Sequence, residues 1–191
     1  KSPTTQRGRD FAVMLASLDE LGYAVEWRSF SSADYGFPQR RKRVFILAHA
    51  PGTKGHDILS EGHSALDWIQ SEGYLAKAFP VNDLEYFFGL PSFNLKTRSD
   101  DDLADVSMMF GPGKGGMSKF KNAGVMVEGS VWTTDVRSRY DGESLTLGDI
   151  LVTPGKVPDE FIIRPSDLTK ERGWIYLKGA KSEPREGRDG F

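Results

Sequence analysis

Asp34-Tyr35-Gly36-Phe37-Pro38-Gln39-Arg40-Arg41-Lys42-Arg43-Val44-Phe45-Ile46-Leu47-Ala48 is the stretch on which the reading of this 191-residue chain turns. A Gly/Pro turn leads into four consecutive cations, and these run directly into an apolar segment. Val44 to Ala48 reads as a short strand covered on both faces, the kind found inside an α/β sheet. The cations then stand at the mouth of a rigid strand, where they suit an anion or a polar base edge. A solvated strand entrance accounts for the same four residues, so the tetrad alone leaves both readings open.

The text on either side narrows the choice. Phe11, Leu15 and Leu18, with Met14 and Leu21 beside them, recur at helical spacing, with Asp10 as candidate N-cap and Gly22 at the C-terminal stop. Ala24 to Phe30 alternates, Val25 and Trp27 on one face and Glu26 and Arg28 on the other, and predicts a second strand. A helix and two neighbouring strands result, at the edge of a larger sheet.

Gln39-x-Arg41-x-Arg43 before an apolar strand, after Asp-Tyr-Gly-x-Pro and a helix, Leu-Gly-Tyr turn and strand, resembles motif VIII of the DNA (cytosine-5) methyltransferases and its approach, motif VII included. The resemblance is specific over about residues 8 to 48. It is looser at Leu75 to Pro80 and through much of 118 to 191. It implies an α/β fold: the C-terminal part of a Rossmann-like methyltransferase sheet (residues 1–80), followed by the beginning of an irregular, β-rich target recognition domain (81–191). The implied reaction is methyl transfer from S-adenosylmethionine to C5 of a cytosine flipped out of duplex DNA, as in restriction-modification systems. Arg41 and Arg43 then become the pocket arginines at the O2 edge of the base, with Gln39 as polar support. A guanidinium stays charged when partly buried, and its planar fork fixes direction. Arg40 and Lys42 alternate to the opposite side and suit phosphates.

The rest of the chain sets limits. With 38% hydrophobic and 27% charged residues it has the composition of a soluble globular protein, and no apolar run is long enough to span a bilayer. A cytoplasmic, bacterial or phage-encoded protein is expected, monomeric at full length. The net charge of −2 confines any nucleic-acid contact to a local patch. There is no cysteine, which excludes disulfides, thiolate metal sites and a cysteine nucleophile within these residues. Since the resembling family attacks cytosine with a cysteine, the chain reads as an internal piece of a longer protein, inactive alone. Its cofactor-binding residues would lie mostly outside it.

Further on, Ser64 is a candidate cap for a helix through Trp68 and Ile69 towards Ala78, interrupted near Gly73 and ended by Pro80. Asp105 to Met109 makes a poor strand, and the Gly-x-Gly-x-x-Gly pattern at Gly111, Gly113 and Gly116 reads as a loop rather than a dinucleotide site. Val125–Val127 and Ser130–Thr134 flank Glu128-Gly129 as a hairpin. Lys119, Lys121, Arg137, Arg139, Lys178, Lys181, Arg185 and Arg188 offer cations for double-stranded DNA, each equally readable as an ordinary surface residue. His56 and His63 lack metal-ligand spacing, and nothing in the text pairs with His49. Two other functions fit the same residues: a DNA-binding module without catalysis, and an RNA cytosine methyltransferase.

Overall fold

The computed structural model describes residues 8–83, 90–95, 103–110 and 119–162. Helix α1 (Arg9–Glu20) starts at Gly8 and not at Asp10, which lies in its first turn. It stops as foreseen: Gly22, at φ 78°, turns the chain left-handed. Its N–H then bonds the Asp19 carbonyl (2.8 Å) and that of Tyr23 the Leu18 carbonyl (3.0 Å), a Schellman closure. Strand β1 (Ala24–Ser31) follows, then a short 3₁₀ turn (Ser32–Tyr35) and strand β2 (Lys42–His49), antiparallel to β1.

Next come three short helices, α2 (Lys54–Ser60), α3 (Ala65–Asp67) and α4 (Tyr74–Ala78), with a π-helical turn, Trp68–Glu72, between the last two. Ser64 caps α3 by accepting the Asp67 N–H, and Gly73 interrupts the run where the sequence suggested. Strand β3 (Ser92–Asn94), helix α5 (Leu103–Met109) and the hairpin of β4 (Ala123–Val127) and β5 (Ser130–Thr134) complete the sheet. Asp105–Met109 is therefore helical: Val106 and Phe110 are buried in the core that α1 also fills, so tertiary packing overrides a weak local pattern. Glu128 (φ 48°) and Gly129 (φ 75°) form the two-residue primed turn a tight hairpin demands. Helix α6 (Leu147–Ile150) and two 3₁₀ turns follow.

The sheet is five-stranded, antiparallel throughout, in the order β2-β1-β4-β5-β3. Alternation sorts its side chains into two cores. One face sends Val25, Trp27, Met126 and Val131 towards α1 and α5, where Phe11, Leu15 and Phe120 meet them; Trp27 packs edge-on against Phe11 and Phe120. The other face sends Ala24, Ala123 and Val125 of β4 and Trp132 of β5 towards Leu59, Trp68 and Ile69. The chain divides into two compact units, residues 1–149, which hold all five strands, and residues 150–191.

One expectation about the strands needs correcting. Val44–Ala48 is not covered on both faces: β2 is an edge strand in this sheet, with Val44 and Ile46 partly buried towards α1 while Phe45 (41%) and Leu47 (36%) stay exposed. An apolar run is compatible with either situation, and only the neighbours decide. The polar face of β1, by contrast, is buried. Glu26 and Arg28 are 3% and 2% exposed, because β1 is central and the 54–79 helices cover it.

Candidate functional site

The site is built on the turn between β1 and β2. Ser31 and Asp34 make a reciprocal capping box over the 3₁₀ turn: Ser31 N–H donates to Asp34 Oδ2 (2.8 Å) while Ser31 Oγ accepts the Ala33 N–H. Gly36 has φ 84°, and a Cβ there would also strike the Tyr140 ring at 2.5 Å, so backbone and packing both require glycine. The Gln39 carbonyl closes the loop by accepting from Ala33 N–H (3.0 Å) and the hydroxyls of Ser31 and Ser32 (both 3.2 Å). An aromatic group of Phe30, Tyr35, Phe45 and Phe79 backs the turn, and Tyr35 Oη donates to the Pro80 carbonyl (3.0 Å).

From this anchored turn the chain passes through Gln39, Arg40 and Arg41 into β2, whose first residues Lys42 and Arg43 pair with Ser31 and Phe30. All five side chains are exposed. Among the described residues Arg43 Nη1 donates to the adjacent Lys42 carbonyl alone (2.9 Å), so its guanidinium is held locally and is open to a further acceptor. Alternation puts Arg43 on the sheet face of Phe30 and Phe45, and Lys42 on the opposite face with Val44.

The antiparallel register decides what else is nearby. The C-terminal end of β1, the N-terminal ends of β2 and β4 and the C-terminal end of β5 lie at one end of the sheet. Lys42 opens β2, Lys121 stands two residues before β4, and Arg137 three residues after β5. A cleft of about 340 Å³ lies here, lined by Arg28, Lys42 and Arg137 together with Asp34, Tyr35 and Asn122. Lys121 Nζ is 3.3 Å from Asp135 Oδ2, and Lys119 Nζ sits 5.5 Å from the centre of the Phe93 ring and 5.7 Å from that of Phe110. Lys178, Lys181, Arg185 and Arg188 lie outside the described residues, as does the glycine-rich stretch at 111–118.

Sequence reasoning passed over Arg28, and also left His49 without a partner. Arg28 donates to the carbonyls of Phe79 (2.5 Å), Leu75 (3.3 Å) and Ile69, while Nε is buried without a hydrogen-bond partner. Burial pulls its guanidinium below the ordinary pKa, opposed by Tyr35 and by the Glu26 carboxylate. Glu26 accepts the N–H groups of Tyr74 and Leu75 (3.2 Å each), and its Oε1 lies 3.2 Å from His49 Nε2. These two charges, two residues apart on one face of β1, hold the opposite ends of α4. The signal was present only as Glu-x-Arg in a strand; that the strand is central cannot be read locally.

No described cavity suits S-adenosylmethionine. The cleft at the sheet end carries Arg28, Lys42 and Arg137, which repel a sulfonium and an ammonium. The second opening, beside α1, has one carboxylate, Asp10, already 3.7 Å from Arg9 Nε. Among the described residues no group of acidic, histidine or cysteine side chains is placed to hold a metal. No described helix is long and apolar enough to cross a membrane.

Residues 3–100 match the sequence model of a family described as C-5 cytosine-specific DNA methylase. Along its whole length the chain is 38% identical to Type II methyltransferase M.Sau3AI of Staphylococcus aureus, spanning 42% of that protein. It is 44% identical over 97 residues to Type II methyltransferase M.NlaIV of Neisseria lactamica, 44% of this chain and 22% of the relative. It is 48% identical over 46 residues to DNA (cytosine-5)-methyltransferase 1A of Oryza sativa subsp. japonica, 24% of this chain and 3% of the relative. No solved structure matches.

Proposed function

The chain belongs to the C-5 cytosine-specific DNA methylase family, and from that premise we propose that it is part of a type II restriction-modification enzyme that methylates C5 of a flipped cytosine in duplex DNA. The methyl donor is S-adenosylmethionine, held by residues outside the cavities described above. The nucleophilic cysteine also lies outside this cysteine-free chain, which is inactive alone. Residues 1–80 form the end of a Rossmann-like catalytic domain and residues 81–191 the start of the target recognition domain, joined through β4 onto the same sheet. The full-length protein is monomeric and cytoplasmic.

What carries this reading is the convergence of the Gln39–Arg43 segment with Lys121 and Arg137 at one end of the sheet. The cations come from segments some eighty to a hundred residues apart, and the antiparallel register gathers them where a polyanion can touch all of them. Arg41 and Arg43 face the flipped base and donate to its O2 edge. Gln39 keeps the turn in place through its carbonyl, and Arg40 and Lys42 meet phosphates. The guanidinium plane gives Arg43 direction, and its short tether to the Lys42 carbonyl limits the entropy lost on binding. The test is methyl transfer by the full-length protein with Arg43→Ala. Loss of a charge-assisted hydrogen bond to the reacting base lowers kcat about 10- to 100-fold; a variant working at the parent rate sinks the assignment.

A further inference from the structure

We propose that the cleft between Lys42 and Arg137 is a single-phosphate site, which clasps one phosphodiester of the bound duplex at the junction of the sheet with the segment after β5. The inference rests on the DNA reading above and deepens it. Lys42 and Arg137 are both exposed and both line the cleft, one from the start of β2 and the other from beyond β5. Among the described residues neither side chain has a carboxylate partner. By contrast, Lys121, next to Asn122 of the same wall, is bridged to Asp135.

The floor adds a third cation. Arg28 is 2% exposed, and its Nε–H is buried without an acceptor. Three cations face a single carboxylate, Asp34, whose Oδ2 is engaged with the Ser31 N–H. Glu26 offsets Arg28 from behind, so Lys42 and Arg137 against Asp34 leave the cleft a net positive charge, between walls of Phe30, Val81 and Val136 that focus the field. Asn122 does not compete for the ligand: its amide is spent on the Val136 backbone, Nδ2 donating to the carbonyl (2.8 Å) and Oδ1 accepting the N–H (2.7 Å). That pair also fixes Arg137, the next residue, relative to β4. The cleft is concave, cationic and rigidly framed. One tetrahedral anion fits this chemistry.

The experiment is the salt dependence of duplex binding by the full-length protein carrying Lys42→Ala, Arg137→Ala or both. Because either cation alone still neutralises the shared phosphate, each single variant is expected to flatten the slope of log K against log salt by well under about 0.9, while weakening binding on the order of 10-fold at fixed salt. The double variant should flatten it by about 0.9, the value for one phosphate. Arg137→Lys, which keeps the charge, should restore most of the slope. A double-variant loss of about 1.8 would assign the two cations to separate phosphates and overturn the single site. Parent-like slopes in all variants would overturn the cleft while leaving the DNA reading standing. If the parent protein does not bind duplex DNA at all, that reading fails instead. Inorganic phosphate, titrated and followed by NMR, then decides the cleft: saturable shifts lost in the double variant uphold an anion site, and no shifts end it.

Discussion

Strands β1 and β2 are each eight residues long and pair along their whole length, yet they treat their side chains in opposite ways. β1 hides two charges, Glu26 and Arg28, while β2 leaves Phe45 and Leu47 at its surface. Hydropathy of either strand alone argues for the reverse. The difference lies in position: β1 has a strand on each side and helices over both faces, whereas β2 pairs on one side only among the described residues. Burial penalises a polar atom that has no partner, and all of β1's buried charged atoms but Arg28 Nε find theirs, chiefly in the backbone ends of α4. A five-residue helix has few internal hydrogen bonds, so a carboxylate at its start and a guanidinium at its end satisfy groups that would otherwise be orphaned.

The sharpest way to break this comparison is to remove one buried charge. Arg28→Ala should cost about 3–5 kcal/mol, because it leaves three backbone carbonyls without their donor. Denaturant unfolding would show this, and a change below about 1 kcal/mol would mean that the guanidinium is not what holds α4. Its counterpart on the exposed strand, Arg43→Ala, should shift stability by no more than about 0.5 kcal/mol while depressing methyl transfer as described above. Next in size is Gly124→Ala. A Cβ there would meet the Trp27 ring at 2.2 Å and the Trp132 carbonyl at 2.6 Å, and such overpacking costs about 1–3 kcal/mol, read as a lowered melting midpoint.

The exposed face of β2 offers a subtler test. If further strands of a Rossmann-like sheet join β2 in the full-length protein, Leu47→Ser should cost about 2 kcal/mol there. An effect within about 0.5 kcal/mol would make β2 a true edge and the contrast with β1 permanent. The smallest effect is expected away from the sheet, at Asp149. Its Oδ2 accepts from both the N–H and the hydroxyl of Thr146 (2.7 Å each), which lowers its pKa below the ordinary value. A carboxyl depressed in the folded state stabilises it above the unfolded-state pKa, and that contribution fades as pH falls through the folded value. Asp149→Asn should therefore lower stability slightly at neutral pH, and the difference from the parent should vanish at acid pH, below the folded pKa. A loss that persisted undiminished at acid pH would contradict the assignment.

Much of the local structure was legible in the residues. The Leu-Gly-Tyr stop of α1, the Ser64 cap, the break at Gly73 and the Glu128-Gly129 turn are each specified within a few residues, because capping and left-handed turns depend on the chemistry of one or two side chains. The motif Gln39-x-Arg41-x-Arg43 and its family were readable for the same reason. Three things were not. α5 looked like neither strand nor helix, and forms because Val106 and Phe110 find the core of α1 and Trp27. The cleft pairs Lys42 with Arg137, 95 residues apart, and nothing local to Arg28 showed that three backbone carbonyls would surround it. By itself the sequence determined where the chain turns, caps and carries charge, since these are short-range matters of sterics and hydrogen bonding. Which strand is central, and which cations share a cleft, was left to the tertiary structure, because burial and field are sums over neighbours that only the folded chain brings together.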